Sequence, residues 1–268
     1  MCRVGSTNSS IGWQMADRQY VQGRSIPRAA DIDAGLQAYM TKVYALMAGA
    51  MVITGLVAYL VGMDLKAARA GEETLLLSPE LLATMFTSPV RYILMFAPLV
   101  FLLVMSFGLH KLSAGTAQIL FWVFGGVMGL SISWIFAVFT GVSIAQTFFA
   151  TAIAFGALSI WGMTTKRDLS GMGTFLMMGV IGLIVASIIN IFLQSTAMGW
   201  AISSIGVLVF AGLTAYDTQQ IKNEYLHFRM TPGGEAYLAK GAVMGALALY
   251  INFINMFMFL LQFLGDRE

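Results

Sequence analysis

Asp217 is the residue whose surroundings demand a chemical explanation. It ends an uncharged run of 48 residues that starts after Asp168, within Ala215-Tyr216-Asp217-Thr218-Gln219-Gln220-Ile221-Lys222. Neither Gly nor Pro interrupts the chain from Leu213 to Thr231. A helix can therefore carry Asp217 about three turns below its own end. An ionisable side chain inside a membrane marks an ion or proton path by default. At the water boundary the same carboxylate is ordinary, and both readings stand at this point. Three amides lie in other apolar stretches: Asn190, Asn252 and Asn255. Asn252 and Asn255 are three apart and share a helix face. An amide in hydrocarbon needs a partner, so these side chains should face a bundle interior. There they either tie helices together or meet Asp217. His110 and Lys111 close another apolar stretch. They read as boundary anchors, with pairing to a buried carboxylate as the alternative.

The elements that position these residues follow from composition. Of 268 residues, 58 % are hydrophobic and 10 % charged, and the mean hydropathy is +0.79. A soluble domain carries about 25 % charged residues, so this chain cannot coat a soluble globule. It is equally far from a disordered chain. A net charge of +2 offers no basic stripe for nucleic acid. One cysteine, Cys2, and two histidines leave no disulfide framework or clustered metal site. What remains is an all-α integral membrane protein whose main partner is the lipid bilayer. A span takes about 20 apolar residues. The uncharged intervals predict seven: about 43–62, 92–109, 116–139, 142–163, 174–193, 199–216 with its helix running on to about 228, and 241–265. Continuous runs, rather than alternating segments of about ten residues, exclude a β-barrel. Thr140-Gly141 and Gln194-Ser195-Thr196 divide the two longest runs, and Pro98 should kink the second span. Gly125 and Gly129, four apart on the third span, allow close helix approach. The 19 methionines are scattered and read as packing.

The chain then divides into a polar cytoplasmic tail, 1–42, and a membrane domain, 43–265. Composition predicts disorder to about residue 30 and a short helix leading into the first span. Met15-Ala16-Asp17-Arg18 reads as a natural beginning, so residues 1–14 are expected to be dispensable. Residues 75–82 are expected to form a short helix at the membrane surface. With the N-terminus inside, 11 of the 15 Lys and Arg fall in inner segments; Lys66, Arg69, Arg91 and Arg267 fall outside. This bias predicts a cytoplasmic N-terminus and, after seven spans, an outer C-terminus.

Two segments resemble the signatures of the Bax inhibitor-1 family. The stretch from Ala215 to Lys222 is similar to the family's sixth-helix motif. Gly245-Ala246-Leu247-Ala248-Leu249-Tyr250-Ile251-Asn252-Phe253-Ile254-Asn255-Met256-Phe257 is similar to its seventh-helix motif, and Ala38-Tyr39-Met40-Thr41-Lys42-Val43-Tyr44 looks like bacterial members. The resemblance implies six helices around a central seventh, a bacterial inner membrane location and a pH-sensitive calcium leak. It also implies a gate in which two aspartates share a proton. The first of these falls on Asp217; the second falls on Asn252, where this chain departs from the pattern. Two close carboxylates cannot both ionise cheaply, which makes the pair a pH sensor. An Asp–Asn pair has one titrating group, and its amide stands permanently for the protonated partner. Calcium takes several oxygen ligands, carboxylates among them, and Asp217 is the one carboxylate left to meet it. No bound cofactor is implied, and calcium enters as the transported ion.

The turn signal at Thr231-Pro232-Gly233-Gly234 makes the last two spans an antiparallel hairpin. If its helices end near Arg229 and Glu235, Asp217 and Asn252 lie about 18 and 25 Å from the turn. Tilt, side-chain reach or a water must close the remaining 7 Å or so. Asn255 is one turn deeper. Two functions follow: a cation leak path controlled at Asp217, or a non-conducting interaction protein that modulates a membrane protease or a stress response. The second rests on bacterial relatives associated with protease regulation. A retinal receptor is excluded because the seventh span has no lysine. An enzyme is not expected, since no span carries a nucleophile, base and orienting group together.

Overall fold

The computed structural model describes residues 29–108 and 112–267. His110, Lys111 and residues 1–14, singled out above, lie outside the described residues, as does most of the segment expected to be disordered. The described helices are α1 (Ala29–Ala70), α2 (Pro79–Thr87), α3 (Val90–Gly108), α4 (Ala114–Ile132), α5 (Gly141–Thr164), α6 (Ser170–Leu193), α7 (Thr196–Arg229) and α8 (Gly234–Leu264). A 3-10 segment, Ser133–Ala137, extends α4. Six helices are long and apolar enough to cross a membrane, and a seventh span forms if α2 and α3 count as one bent pair. All strand-like structure among the described residues is a single bridge between Phe139 and Arg267.

The boundaries follow local chemistry. Ser78, Ser113, Thr140 and Ser195 each accept a backbone N–H from the first turn of the helix they precede, satisfying groups that have no intrahelical acceptor. Gln194 ends α6 in the left-handed conformation (φ 50°). Gly233 takes φ 77° in the α7–α8 turn, where a residue without Cβ costs least.

The structure extends several of the expected helices and corrects one. The short helix expected to lead into the first span is continuous with it, so that α1 runs unbroken from Ala29. It also runs past residue 62 to Ala70. The helix expected over 75–82 starts only at Pro79, since the N–H groups of Leu75, Leu76 and Leu77 are taken by the carboxylate of Asp64. Pro98 lies within α3, whereas the sharp bend of 71° falls between α2 and α3, at Ser88-Pro89.

Lipid is as apolar as leucine, so helices associate through close packing and hydrogen bonds rather than through the hydrophobic effect. Gly125 and Gly129 of α4 lie flat on α1. A Cβ at Gly129 would stand 2.5 Å from the Thr54 carbonyl oxygen, and one at Gly125 would stand 3.0 Å from that of Ala50. The close approach expected of this pair is present, with Gly126 turned away. α8 is the most buried span: 61 % of its apolar window is buried, against 11–39 % in the others. It packs on α1, α4, α5 and α7.

Candidate functional site

Asn252 Nδ2 donates to Asp217 Oδ2 at 2.6 Å. Asn252 is buried and Asp217 half-buried. The two side chains reach across their unequal distances from the turn. Phe259 lies against Gly206, and Ile221 against Gly245, where a Cβ would stand 2.6 and 2.9 Å from the facing side chain. Asp217 and Asn252 fall between these two close contacts. At the tip, the rings of Phe228 and Tyr237 stack at 5.3 Å.

The backbone around Asp217 is held from the α5–α6 side. Gln219 Nε2 donates to the Arg167 carbonyl, while its Oε1 accepts from Leu169 N, both at 2.8 Å. Lys222 Nζ donates to the Met163 carbonyl at 2.8 Å, closing the exposed end of α5 with a positive charge where the helix dipole favours one. Gly162 of α5 abuts the backbone of Ala215, and Gly173 of α6 abuts the ring of Tyr216. The segment carrying Asp217 is thus fixed on three sides.

The other amides are not part of this site. Asn255 Nδ2 turns back to the Ile251 carbonyl of its own helix. Asn190 Oδ1 accepts from Ser195 N in the α6–α7 turn, at the far end of α7. Among the described residues no group of three or more His, Cys, Asp and Glu is placed to hold a metal ion.

Two polar contacts were not anticipated from the sequence. Tyr250, fully buried on α8, shares a 2.7 Å hydrogen bond with Thr54 of α1, and Thr54 Oγ1 also reaches the Gly125 and Ala50 carbonyls. The rings of Phe121 and Phe124 meet Tyr250 edge-on, contacts worth about 0.5–1.5 kcal/mol each beyond burial. A threonine within an otherwise apolar stretch was the available signal. Asp64 is the second case. It is 2 % exposed and accepts three backbone N–H groups at 2.7–2.8 Å. No sequence signal marks it, because its N–H donors belong to a leucine triplet 11–13 positions away.

A bundle of apolar helices with one polar contact clamped between its last two spans defines a multi-pass membrane protein. The chain matches the family model described as inhibitor of apoptosis-promoting Bax1 over residues 36–268. A Caulobacter vibrioides protein is 45 % identical over 91 % of this chain and 96 % of its own length. A Rickettsia prowazekii protein is 43 % identical over 88 % and 92 %. Inner membrane protein YbhL of Escherichia coli is 43 % identical over 88 % and 94 %. The chain belongs to the Bax inhibitor family of membrane proteins.

Proposed function

We propose that the chain is a calcium-conducting leak channel of the bacterial inner membrane, gated by proton exchange at the contact between Asp217 and Asn252. The observation that carries this reading is the 2.6 Å bond from the Asn252 amide to the Asp217 carboxylate across the α7–α8 interface. A hydrogen bond to a charged acceptor contributes about 1.5–3 kcal/mol, enough to bias a two-state helix contact by tenfold or more. A single carboxylate gives the latch one titrating group, and calcium passing between the helices meets that carboxylate as substrate. The Lys and Arg distribution supports a cytoplasmic N-terminus, which puts Asp217 towards the cytoplasmic end.

Calcium flux from proteoliposomes as a function of pH tests the gate. Wild type should show one titration step, and Asp217→Asn a pH-independent flux. Equal profiles would leave Asp217 as a structural anchor only. Absence of flux at every pH would favour a non-conducting protein that modulates a protease or a stress response. A reporter fused after Glu268 should read as outer, and a cytoplasmic signal would overturn the orientation.

A further inference from the structure

α1 and α5 both pack on α8 and leave a groove between them that opens toward the bilayer. It consists of two cavities of about 430 and 740 Å³. They share Met51, Gly55, Tyr59, Phe148 and Phe253 in their lining, which makes them one continuous space. The floor is apolar and buried, formed by Phe253, Ile254 and Phe257 of α8. The rim is apolar and exposed, with Val52, Leu56 and Tyr59 on α1 and Phe148 and Phe149 on α5. Along α1 the groove runs from Tyr44 to Lys66. These 22 positions cover about 33 Å, close to the 30 Å or so of a bilayer's hydrocarbon core. Lys66 is exposed, and an exposed lysine belongs with the headgroups rather than in hydrocarbon. That end of the groove therefore reaches the membrane–water boundary.

Two glycines keep the space open. A Cβ at Gly55 of α1 or at Gly141 of α5 would meet no atom within 4 Å. The walls themselves are fixed to the floor. The rings of Phe148 and Phe155 on α5 stand edge-on to Phe253 at 5.5 and 5.4 Å, and Thr54 on α1 is tied to Tyr250 of α8. The groove is thus built into the packing, and the question is what fills it. A buried water needs two to four polar partners. Thr54 is a buried polar side chain on the wall, and its hydroxyl is already engaged by the Ala50 and Gly125 carbonyls and the Tyr250 hydroxyl. Left empty, the lining would forfeit its dispersion contacts. A second helix has the wrong shape. Close helix pairs need small residues along the contact, whereas this rim is bulky, so a helix about 10 Å across would ride on the rim and leave the floor bare. A hydrocarbon chain is narrow, flexible and apolar throughout, and the bilayer supplies it at the mouth of the groove.

We propose that this groove binds an acyl chain of a bilayer phospholipid, which enters from the Lys66 end and lies along Phe253, Ile254 and Phe257. The site shares no residue with the Asp217 contact, so it stands whether or not the protein conducts ions.

The test uses the full protein in phosphatidylcholine nanodiscs that contain a phosphatidylcholine with a diazirine halfway along one acyl chain. After illumination, adducts are mapped by peptide mass spectrometry. Lipid that merely surrounds the protein marks exposed positions such as Ile181 and Phe192 of α6. Lipid seated in the groove also marks residues 253–257 of α8, which are buried or half-buried throughout. Wild type should show both. Gly55→Leu and Ala145→Phe fill the groove from opposite walls, the first into open space and the second from an exposed position. Each should reduce the α8 adducts about fivefold or more and leave those on α6 unchanged. Adducts on α6 with none on 253–257 in wild type overturn the proposal, and a dimer mass in the same sample would then identify a second copy as the cover. Undiminished α8 adducts in both variants overturn it as well.

Discussion

Asn252→Asp converts the observed contact into the pair of carboxylates that the family pattern carries, and its effect can be worked from the geometry. Asn252 Nδ2 lies 2.6 Å from Asp217 Oδ2, so the introduced carboxylate places a second negative charge about 4 Å from the first, centre to centre. At an effective dielectric constant near 20, two unit charges at that separation repel by about 4 kcal/mol. The charge-assisted amide bond, about 1.5–3 kcal/mol, is lost as well. Retaining one proton between the two groups avoids both costs. At about 1.4 kcal/mol per pH unit, the repulsion alone separates the two proton losses by about three pH units. Wild type should therefore show one step in calcium flux against pH. The variant should show a second step about three units above its first, with flux rising through it as repulsion drives α7 from α8. The assay is dye-reported calcium entry into proteoliposomes over a series of internal and external pH values. A second step without a change in flux would refute the gate. A profile identical to wild type would refute the contact itself.

Three other outcomes follow from the packing. Gly129→Ala drives a Cβ to within 2.5 Å of the Thr54 carbonyl oxygen and should cost about 1–3 kcal/mol. Gly126→Ala meets nothing closer than Ile53 Cγ2 at 4.0 Å and should be neutral, or stabilising by up to about 1 kcal/mol; thermal unfolding in detergent compares the two. Asp64→Ala removes the shared acceptor of Leu75, Leu76 and Leu77, so amide exchange at these three positions should accelerate by about tenfold or more, and unchanged exchange would show that the carboxylate does not hold the loop. Asp168, outside the spans, accepts from the Ser170 hydroxyl and backbone N–H, which hold its carboxyl below the ordinary range. Its stabilisation is present above the unfolded value and is lost as pH falls through the lowered folded value; a carboxyl carbon titration by NMR should place its midpoint below that of a free aspartate, and Ser170→Ala should move it back up.

The sequence makes the spans legible because hydrocarbon forbids unpaired backbone and most charge, so the intervals between charges are nearly the helices themselves. It also makes Asp217 legible, as a carboxylate too deep to be incidental. The register of α7 against α8 was legible from the turn at Thr231–Gly234. Ile221 against Gly245 and Gly206 against Phe259 pair residues at nearly equal distances from the turn, as straight helices would, and the expected offset of about 7 Å is bridged by the Asn252 and Asp217 side chains themselves. The role of Asp64 was not legible in the sequence. Charge near the end of a helix is normally solvated, and what holds this one is the backbone of a leucine triplet whose side chains say nothing about where their N–H groups point. Asn190 drew attention as an amide within a span, but its partner, Ser195 N, belongs to the turn that follows.

Two polar contacts of α8 together bear on which body would move if the latch opens. Tyr250 and Asn252 are two positions apart on α8, about 200° around the helix, and they bond to different neighbours: Tyr250 to Thr54 of α1, Asn252 to Asp217 of α7. Thr54 also meets the Gly125 carbonyl of α4, where the glycine contacts leave no slack. On that side α8 is held by a fully buried hydroxyl pair among three close-packed helices. On the other side its polar tether to α7 is one hydrogen bond to a half-buried carboxylate, beside the close contacts of Phe259 with Gly206 and of Gly245 with Ile221. α7 in turn is clipped to the α5–α6 connection through Gln219 and Lys222. Loss of the Asp217–Asn252 bond would therefore act first on the α7–α8 interface, with α8 still tied to α1 and α4 through Tyr250 and Thr54.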